Sequence, residues 1–210
     1  MIAILDYGMG NLRSVEKAFE HVGARALITR DHDRVREANG WVLPGVGAFP
    51  KAMEAIRALA LDRLMAERLA AGVPMLGICL GMQLLFARSA EHGGADGLGF
   101  LAGEVRPLDA PGLKIPQIGW NAITWRRASR LCAGLPDPTA FYHVHSFAPR
   151  PADDGDVLAT ADYGSEFVTA VEREPLYGVQ FHPEKSGPAG LRLLGNFAAI
   201  CGLGGLRRAA

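Results

Sequence analysis

The stretch Val73-Pro74-Met75-Leu76-Gly77-Ile78-Cys79-Leu80-Gly81-Met82-Gln83-Leu84-Leu85-Phe86 constrains the chain more than any other. An apolar run, Val73 to Ile78, reads as a buried strand and delivers a cysteine held between two glycines. A helical pattern, Met82 to Arg88, follows it. Gly-x-Cys-x-Gly at a strand-to-helix junction is the thiol form of the nucleophile elbow, a turn too tight for side chains flanking the strained residue. Such a turn lifts the Cys79 sulfur above the sheet edge, at a helix N-terminus whose dipole and free N–H groups favour a thiolate. The alternative is a plain core cysteine, since free Cys is among the most buried residue types. The choice depends on whether the chain supplies a base.

Upstream, the elements alternate. Ile2–Leu5 is a short buried strand, and after the turn Asp6 to Asn11 the spacing of Leu12, Val15, Ala18, Phe19 and Val22 predicts a helix over Leu12–Val22. Gly8 and Gly10 begin a dinucleotide-type pattern, but its third glycine would fall on Arg13, so the glycines are read as a tight turn. Ala26–Thr29 and Trp41–Leu43 read as strands, with Val35–Ala38 as a short helical connection. The third strand ends in Pro44-Gly45-Val46-Gly47-Ala48-Phe49, a loop able to aim backbone N–H groups at an oxyanion. One helix is expected over Met53–Ala71, with Gly72 as its C-cap.

This β–turn–α alternation predicts an α/β fold with an open, mostly parallel sheet flanked by helices on both faces. Right-handed crossovers put the loops after strands one, three and four on one sheet edge, where ligands bind in such folds. From Glu91 the texture changes. Val105–Leu108, Ile123–Trp125, Ala140–His145, Val157–Ala159, Phe167–Val171 and Tyr177–Gln180 are short apolar pieces between Gly and Pro. They predict an antiparallel strand region in the C-terminal half. A last helix covers Leu191–Ile200. No linker splits the chain, so residues 1–210 are expected to form a single domain, and 49% hydrophobic residues suffice for its core.

Twenty-two basic residues balance twenty-two acidic ones, which argues against binding nucleic acid by bulk charge. Three cysteines far apart, Cys79, Cys132 and Cys201, give neither a disulfide framework nor a zinc site and point to a reducing cytoplasm. No apolar span of about 20 residues is present, so no membrane helix is expected.

The base comes from Gln180-Phe181-His182-Pro183-Glu184-Lys185-Ser186. The strand Tyr177–Gln180 delivers His182, Pro183 stops the strand, and Glu184 follows two residues on. A histidine that takes a thiol proton and passes it to a leaving amine, oriented by a carboxylate, completes a Cys–His–Glu constellation. His21 and His32 are read as exposed. His143 and His145 share a strand face, but no third ligand has matching spacing, so no metal is expected. Trp120, between Gly119 and Asn121, is either core or a partner contact, and core is the simpler reading.

With these residues in hand, the chain resembles the class I glutamine amidotransferases, most closely the glutaminase subunits of imidazole glycerol phosphate synthase. The resemblance rests on Asp6-Tyr7-Gly8-Met9-Gly10-Asn11-Leu12, Leu43 to Phe49, Gly77 to Gln83 and Gln180 to Ser186, with weaker support from Pro116 to Asn121 and Val144-His145-Ser146. The elbow and the His-Pro-Glu block belong to the wider class, whereas the other two strong blocks point to the subfamily. Gln117 and Ile118 depart from it, standing where His and Met are common.

The resemblance implies Cys79 as nucleophile, His182 as acid and base, Glu184 as its orienter, and Leu80 with Val46 and Gly47 as oxyanion donors. It implies that Gln83, Ser146 and Gly45 hold L-glutamine, without cofactor or metal. Ammonia would pass to a (β/α)₈-barrel synthase partner making imidazole glycerol phosphate and AICAR in histidine biosynthesis. A barrel needs about 250 residues and must be a separate chain, giving a heterodimer. Asn11, Trp120, Asn121 and Lys185 are the expected docking residues. The glutaminase subunits of pyridoxal phosphate, anthranilate or aminodeoxychorismate synthesis are the nearest alternatives, and a silent regulatory subunit of the same fold is another.

Overall fold

The computed structural model describes residues 1–203. The amino-terminal half alternates as expected: β1 (Ile2–Leu5), α1 (Leu12–His21), β2 (Ala26–Thr29), α2 (His32–Arg36), β3 (Gly40–Gly45), α3 (Phe49–Ala58), α4 (Leu61–Ala70), β4 (Met75–Cys79) and α5 (Leu80–Gln83). Then come β5 (Phe86–Ser89), β6 (Ala95–Asp96), β7 (Leu101–Pro107), β8 (Gln117–Trp125), β9 (Thr139–His145), β10 (Phe147–Pro151), β11 (Val157–Asp162), β12 (Glu166–Arg173), β13 (Leu176–Val179) and α6 (Gly187–Ile200).

Nine strands form one sheet in the order β2-β1-β3-β4-β13-β12-β11-β8-β9. The first five run parallel; from β13 onward every pairing is antiparallel. The antiparallel region predicted for the second half thus continues the parallel sheet through β13, and half of its pairings are parallel rather than most. A second sheet, in the order β10-β7-β5-β6, also forms.

Alternation along the buried strands divides the interior in two. Ile2, Ile4, Val42, Leu76, Ile78, Tyr177 and Val179 face α1 and α6 through Val15, Phe19, Leu194 and Phe197. Ala3, Leu5, Trp41, Leu43, Met75 and Leu176 face the opposite way, onto Val35, Phe49, Met53, Ile56, Leu61 and Leu64 of α2, α3 and α4. Helices on both faces bury the central strands twice, which is why those strands read as unbroken apolar runs.

Two helices differ from expectation. The single helix predicted over Met53–Ala71 breaks at Ala60, whose backbone is left-handed (φ 51°, ψ 26°). The break lets Ile56 on one side and Leu61, Leu64 and Met65 on the other reach the same core. Gly72 does end the second piece, with the Val73 N–H reaching back to the Arg68 carbonyl and the Gly72 N–H to Leu69. The helix predicted over Met82–Arg88 covers only Leu80–Gln83, and Phe86–Ser89 is a strand paired with β7. The residues from Met82 to Phe86 are all buried, Gln83 included, and a stretch buried on every side carries no period to separate helix from strand. At the carboxyl end α6 begins earlier than Leu191, with Pro188 in its first turn.

Candidate active site

Cys79 ends β4 at the carboxyl edge of the parallel strands, with φ 55° and ψ −113°, a strained conformation for a residue with a Cβ. The flanking glycines are there for close approach. A Cβ on Gly77 would sit 2.8 Å from the Gly81 carbonyl oxygen and from the Met82 nitrogen, and one on Gly81 would collide with the Leu43 carbonyl oxygen. The elbow is therefore pressed against β3 and has no room for any larger residue.

Beyond the sulfur lies a cavity of about 320 Å³, within the range of small-molecule sites. Val46, Gly47, Cys79, Leu80, Gln83 and His182 line it, with Ser146 and Lys185. The Leu80 N–H is first in α5 and so has no partner within the helix. Val46 is 44% exposed and Gly47 has φ 109°. Gly45 lies beneath the lining, where a Cβ would run into the Tyr7 hydroxyl and sit 3.0 Å from Leu80 Cβ.

His182 follows β13 directly. Its backbone N–H donates to the Tyr142 carbonyl (2.9 Å), and Ser186 Oγ donates to the His182 carbonyl (2.6 Å) while accepting from the Tyr142 N–H (3.0 Å). A turn over Pro183–Lys185 brings Glu184 back under the imidazole, with Nδ1 to Oε1 at 2.9 Å and both side chains almost wholly buried. With Nδ1 on the carboxylate, Nε2 is the nitrogen left for the neighbouring Cys79 thiol, which lines the same cavity. Burial opposes a charge on His182, yet the bonds to Cys79 and Glu184 outweigh it and push its pKa up to about 9. A cysteine and a His–Glu pair about a hundred residues further on are thus brought to one cavity as sulfur, imidazole and carboxylate.

The chain as a whole matches a known family. The sequence profile of the glutamine amidotransferase class-I family matches residues 3–201. The chain belongs to the class I glutamine amidotransferase family. It is 47% identical over 199 residues to the imidazole glycerol phosphate synthase subunit HisH of Moorella thermoacetica, covering 95% of this chain and 94% of that protein. The protein of the same name from Rhodopirellula baltica is 48% identical, covering 94% and 97%, and that from Aquifex aeolicus 47%, covering 92% and 94%. In fold, the chain is similar to a putative GMP synthase component from Thermoplasma acidophilum, with TM-score 0.74, 20% identity and coverage of 96% and 93%.

Several features of the amidotransferase site were not legible in the sequence. Glu91 lines the cavity, and its Oε2 accepts the Phe49 N–H at 2.7 Å, capping α3 immediately after the Val46–Gly47 loop. It lies in a turn region without periodicity, so no pattern marks it. Ser186 sits in a recognised block, but its bracing of the His182 loop needs the fold.

His143 and His145 do share a face, and both are buried. His143 Nδ1 contacts the Phe141 carbonyl and Nε2 the Thr169 hydroxyl; His145 Nδ1 contacts the Phe147 carbonyl at 2.8 Å. Burial lowers His143 to about 3 and His145 to about 4, so both are neutral donors to carbonyls with their ring nitrogens already occupied. His145 Nε2 lies 2.8 Å from Gln117 Oε1; a neutral ring that donates through Nδ1 accepts at Nε2, which requires the Gln117 amide turned with its nitrogen toward the ring. Among the described residues no group of three His, Cys, Asp or Glu could hold a metal.

Two expectations are corrected. His32 is half-buried, with Nε2 3.0 Å from the Leu59 carbonyl, rather than exposed. Trp120 is not core: it is 60% exposed, edge-on to Tyr142, beside the equally bare Ile118 on the outward face of β8. Of the other residues read as docking positions, Asn11 precedes α1, Asn121 donates to the Asp162 carbonyl (2.8 Å), and Lys185 is exposed at the cavity mouth.

Proposed function

We propose that this chain is the glutaminase subunit of an imidazole glycerol phosphate synthase, hydrolysing L-glutamine to L-glutamate and ammonia for histidine biosynthesis. The His182 imidazole, bonded to the Glu184 carboxylate and facing the same cavity as the Cys79 thiol, carries the reading. The sulfur attacks the side-chain amide carbon of glutamine. The tetrahedral intermediate collapses as His182 gives its proton to the departing ammonia, leaving a γ-glutamyl thioester on Cys79. His182 then takes a proton from water, which attacks the thioester and releases glutamate. Glu184 holds the ring so that Nε2 stays toward the reacting atoms. The Leu80 N–H and one from Val46–Gly47 receive the oxyanion, each worth about 3 kcal/mol.

An amino acid brings a cation and an anion at its α-carbon. Glu91 supplies a carboxylate to the cavity for the α-ammonium, while Gln83 and the backbone around Ser146 hold the remainder; Gly45, beneath the lining, serves by leaving room for the Tyr7 hydroxyl and Leu80. The ammonia acceptor is a separate (β/α)₈-barrel synthase subunit. It docks over the cavity mouth on Asn11, Trp120, Asn121 and Lys185, and bare indole and Ile118 side chains favour such a contact. The three unpaired thiols suit a cytoplasmic protein, and the family match over residues 3–201 suits one domain.

The test replaces Cys79 with Ala in the complex reconstituted with the barrel subunit. Glutamine-driven synthesis is expected to vanish while ammonia-driven synthesis persists. Glutamine-driven turnover at the original rate would overturn the assignment. Among sister synthases, the names of the relatives, each nearly half identical over almost the full length, favour the histidine pathway.

A further inference from the structure

Beneath the nucleophile a second side chain reaches the sulfur. Gln180, fully buried at the end of β13, directs Nε2 at Cys79 Sγ, 3.8 Å away. Its orientation is fixed by a chain of contacts that runs one way only. The Phe147 carbonyl can only accept, so the Gln83 group 3.0 Å from it is the amide nitrogen. The same nitrogen donates its second hydrogen to Gln180 Oε1, also at 3.0 Å. With its oxygen committed to Gln83, Gln180 has only N–H to offer the sulfur. Gln83 in turn spends both hydrogens on the protein, so what it presents to the cavity is its oxygen, an acceptor.

The remaining neighbours of the sulfur define what this donor is for. The thiol hydrogen is directed at the Val144 carbonyl, 3.8 Å away, and the base for it is the neighbouring His182 ring. Once the proton has gone to His182, the Val144 oxygen offers the anion nothing. Among the described residues, the side chain hydrogen-bonded to Sγ is then Gln180, with the imidazolium as the neighbouring charge. A hydrogen bond to an ionised acceptor is shorter and about twice as strong as one to a neutral acceptor, so the Gln180 contact strengthens as charge develops.

We propose that Gln180 is a catalytic residue that donates a hydrogen bond to the Cys79 thiolate and couples that anion to Gln83, so that a substrate N–H on the Gln83 oxygen polarises the relay toward the sulfur. The proposal rests on Cys79 being the nucleophile. It deepens that reading by assigning the group that supports the anion from the side opposite the cavity.

Two substitutions of similar size separate a donor from mere packing. Gln180→Met removes the donor and keeps the volume; Gln180→Glu keeps an acceptor for Gln83 and turns a negative oxygen toward the sulfur. The reporter is alkylation of Cys79 by iodoacetamide in the full chain, read site by site by peptide mass spectrometry. At pH 7 the Gln180→Met rate is expected to fall about tenfold, as the loss of a hydrogen bond to a charged group implies, and to recover as the pH is raised. Gln180→Glu should fall further. Buried Cys201 serves as the fold control and should label no faster than in the unaltered protein. Unaltered Cys79 labelling in both variants across the pH range, with Cys201 still protected, would overturn the proposal.

Should neither variant fold, the unaltered protein answers through nitrogen-15 NMR of its glutamine side chains. The Gln180 amide resonance must move when Cys79 is alkylated, and its staying fixed would equally overturn the proposal. Failure of the nucleophile reading itself shows separately, as glutaminase turnover that survives Cys79→Ala.

Discussion

Replacing Glu184 with Gln tests the electrostatic design of the site with little change of shape. Glu184 Oε1 lies 2.9 Å from His182 Nδ1, and the two side chains are 1% and 4% exposed, so solvent cannot take over the carboxylate's part. A hydrogen bond to a charged partner contributes about 1.5–3 kcal/mol net. At about 1.4 kcal/mol per pH unit, its loss lowers the pH at which His182 gives up its proton by about one to two units. The Cys79 contact still holds the ring up, so the drop starts from about 9 and is partial. The same energy, set against the imidazolium that must form as the thiolate attacks, slows turnover by roughly ten- to hundredfold. The assay is glutamate release against pH by the reconstituted complex, with thermal unfolding of each protein measured alongside. The unaltered enzyme should hold its rate until close to pH 9 and then decline, while the variant should be slower and decline earlier. Two superimposable pH profiles, from variants of equal fold, would refute the claim that Glu184 governs the protonation of His182.

Other outcomes follow from the same geometry. Gly81→Ala drives a methyl group into the Leu43 carbonyl, so the elbow must shift; glutaminase activity should fall at least about a hundredfold, because small misplacements of reacting atoms are that costly, with a clear loss of thermal stability. His182 carries a pKa raised from 6.5 to about 9, so its pairing contributes stability that is complete below about 6.5 and is lost as the pH rises through about 9. Urea unfolding should therefore show a decline on that alkaline side that disappears in His182→Ala. Trp120→Asp should weaken binding to the synthase partner by at least about tenfold in titration calorimetry and leave the unfolding temperature within a few degrees, because the indole is 60% exposed and makes its aromatic contact only edge-on.

The parts of this protein visible in its sequence are those where local chemistry and global fold agree. Ile2–Leu5, Gly40–Gly45 and Met75–Cys79 are buried on both faces, so their apolar runs are unmistakable, and the turns after them carry the glycines that close packing requires. Cys79, His182 and Glu184 each sit beside a strand end, where a single motif suffices to mark them. The break at Ala60 left no mark, because Ala58, Leu59, Ala60 and Leu61 are good helix formers and the left-handed residue is imposed by packing of Leu61, Leu64 and Met65. The second sheet was likewise hidden, since β5 pairs with β7 across a stretch of glycine turns and nothing local announces a partner so far along the chain. Glu91 shows the same limit within the site. Its position is set by its bond to the Phe49 N–H, a contact 42 residues away in sequence.

The central claim is that Cys79 forms the bond to carbon, and trapping tests it most directly. An electrophilic glutamine analogue added to the full chain with its synthase partner, followed by intact-mass and peptide analysis, should give one adduct per chain, on Cys79, with glutaminase activity lost in proportion. Saturating amounts of glutamine should protect it. An adduct on Cys132 or Cys201 with activity abolished, or full activity after Cys79 is completely modified, would contradict the account.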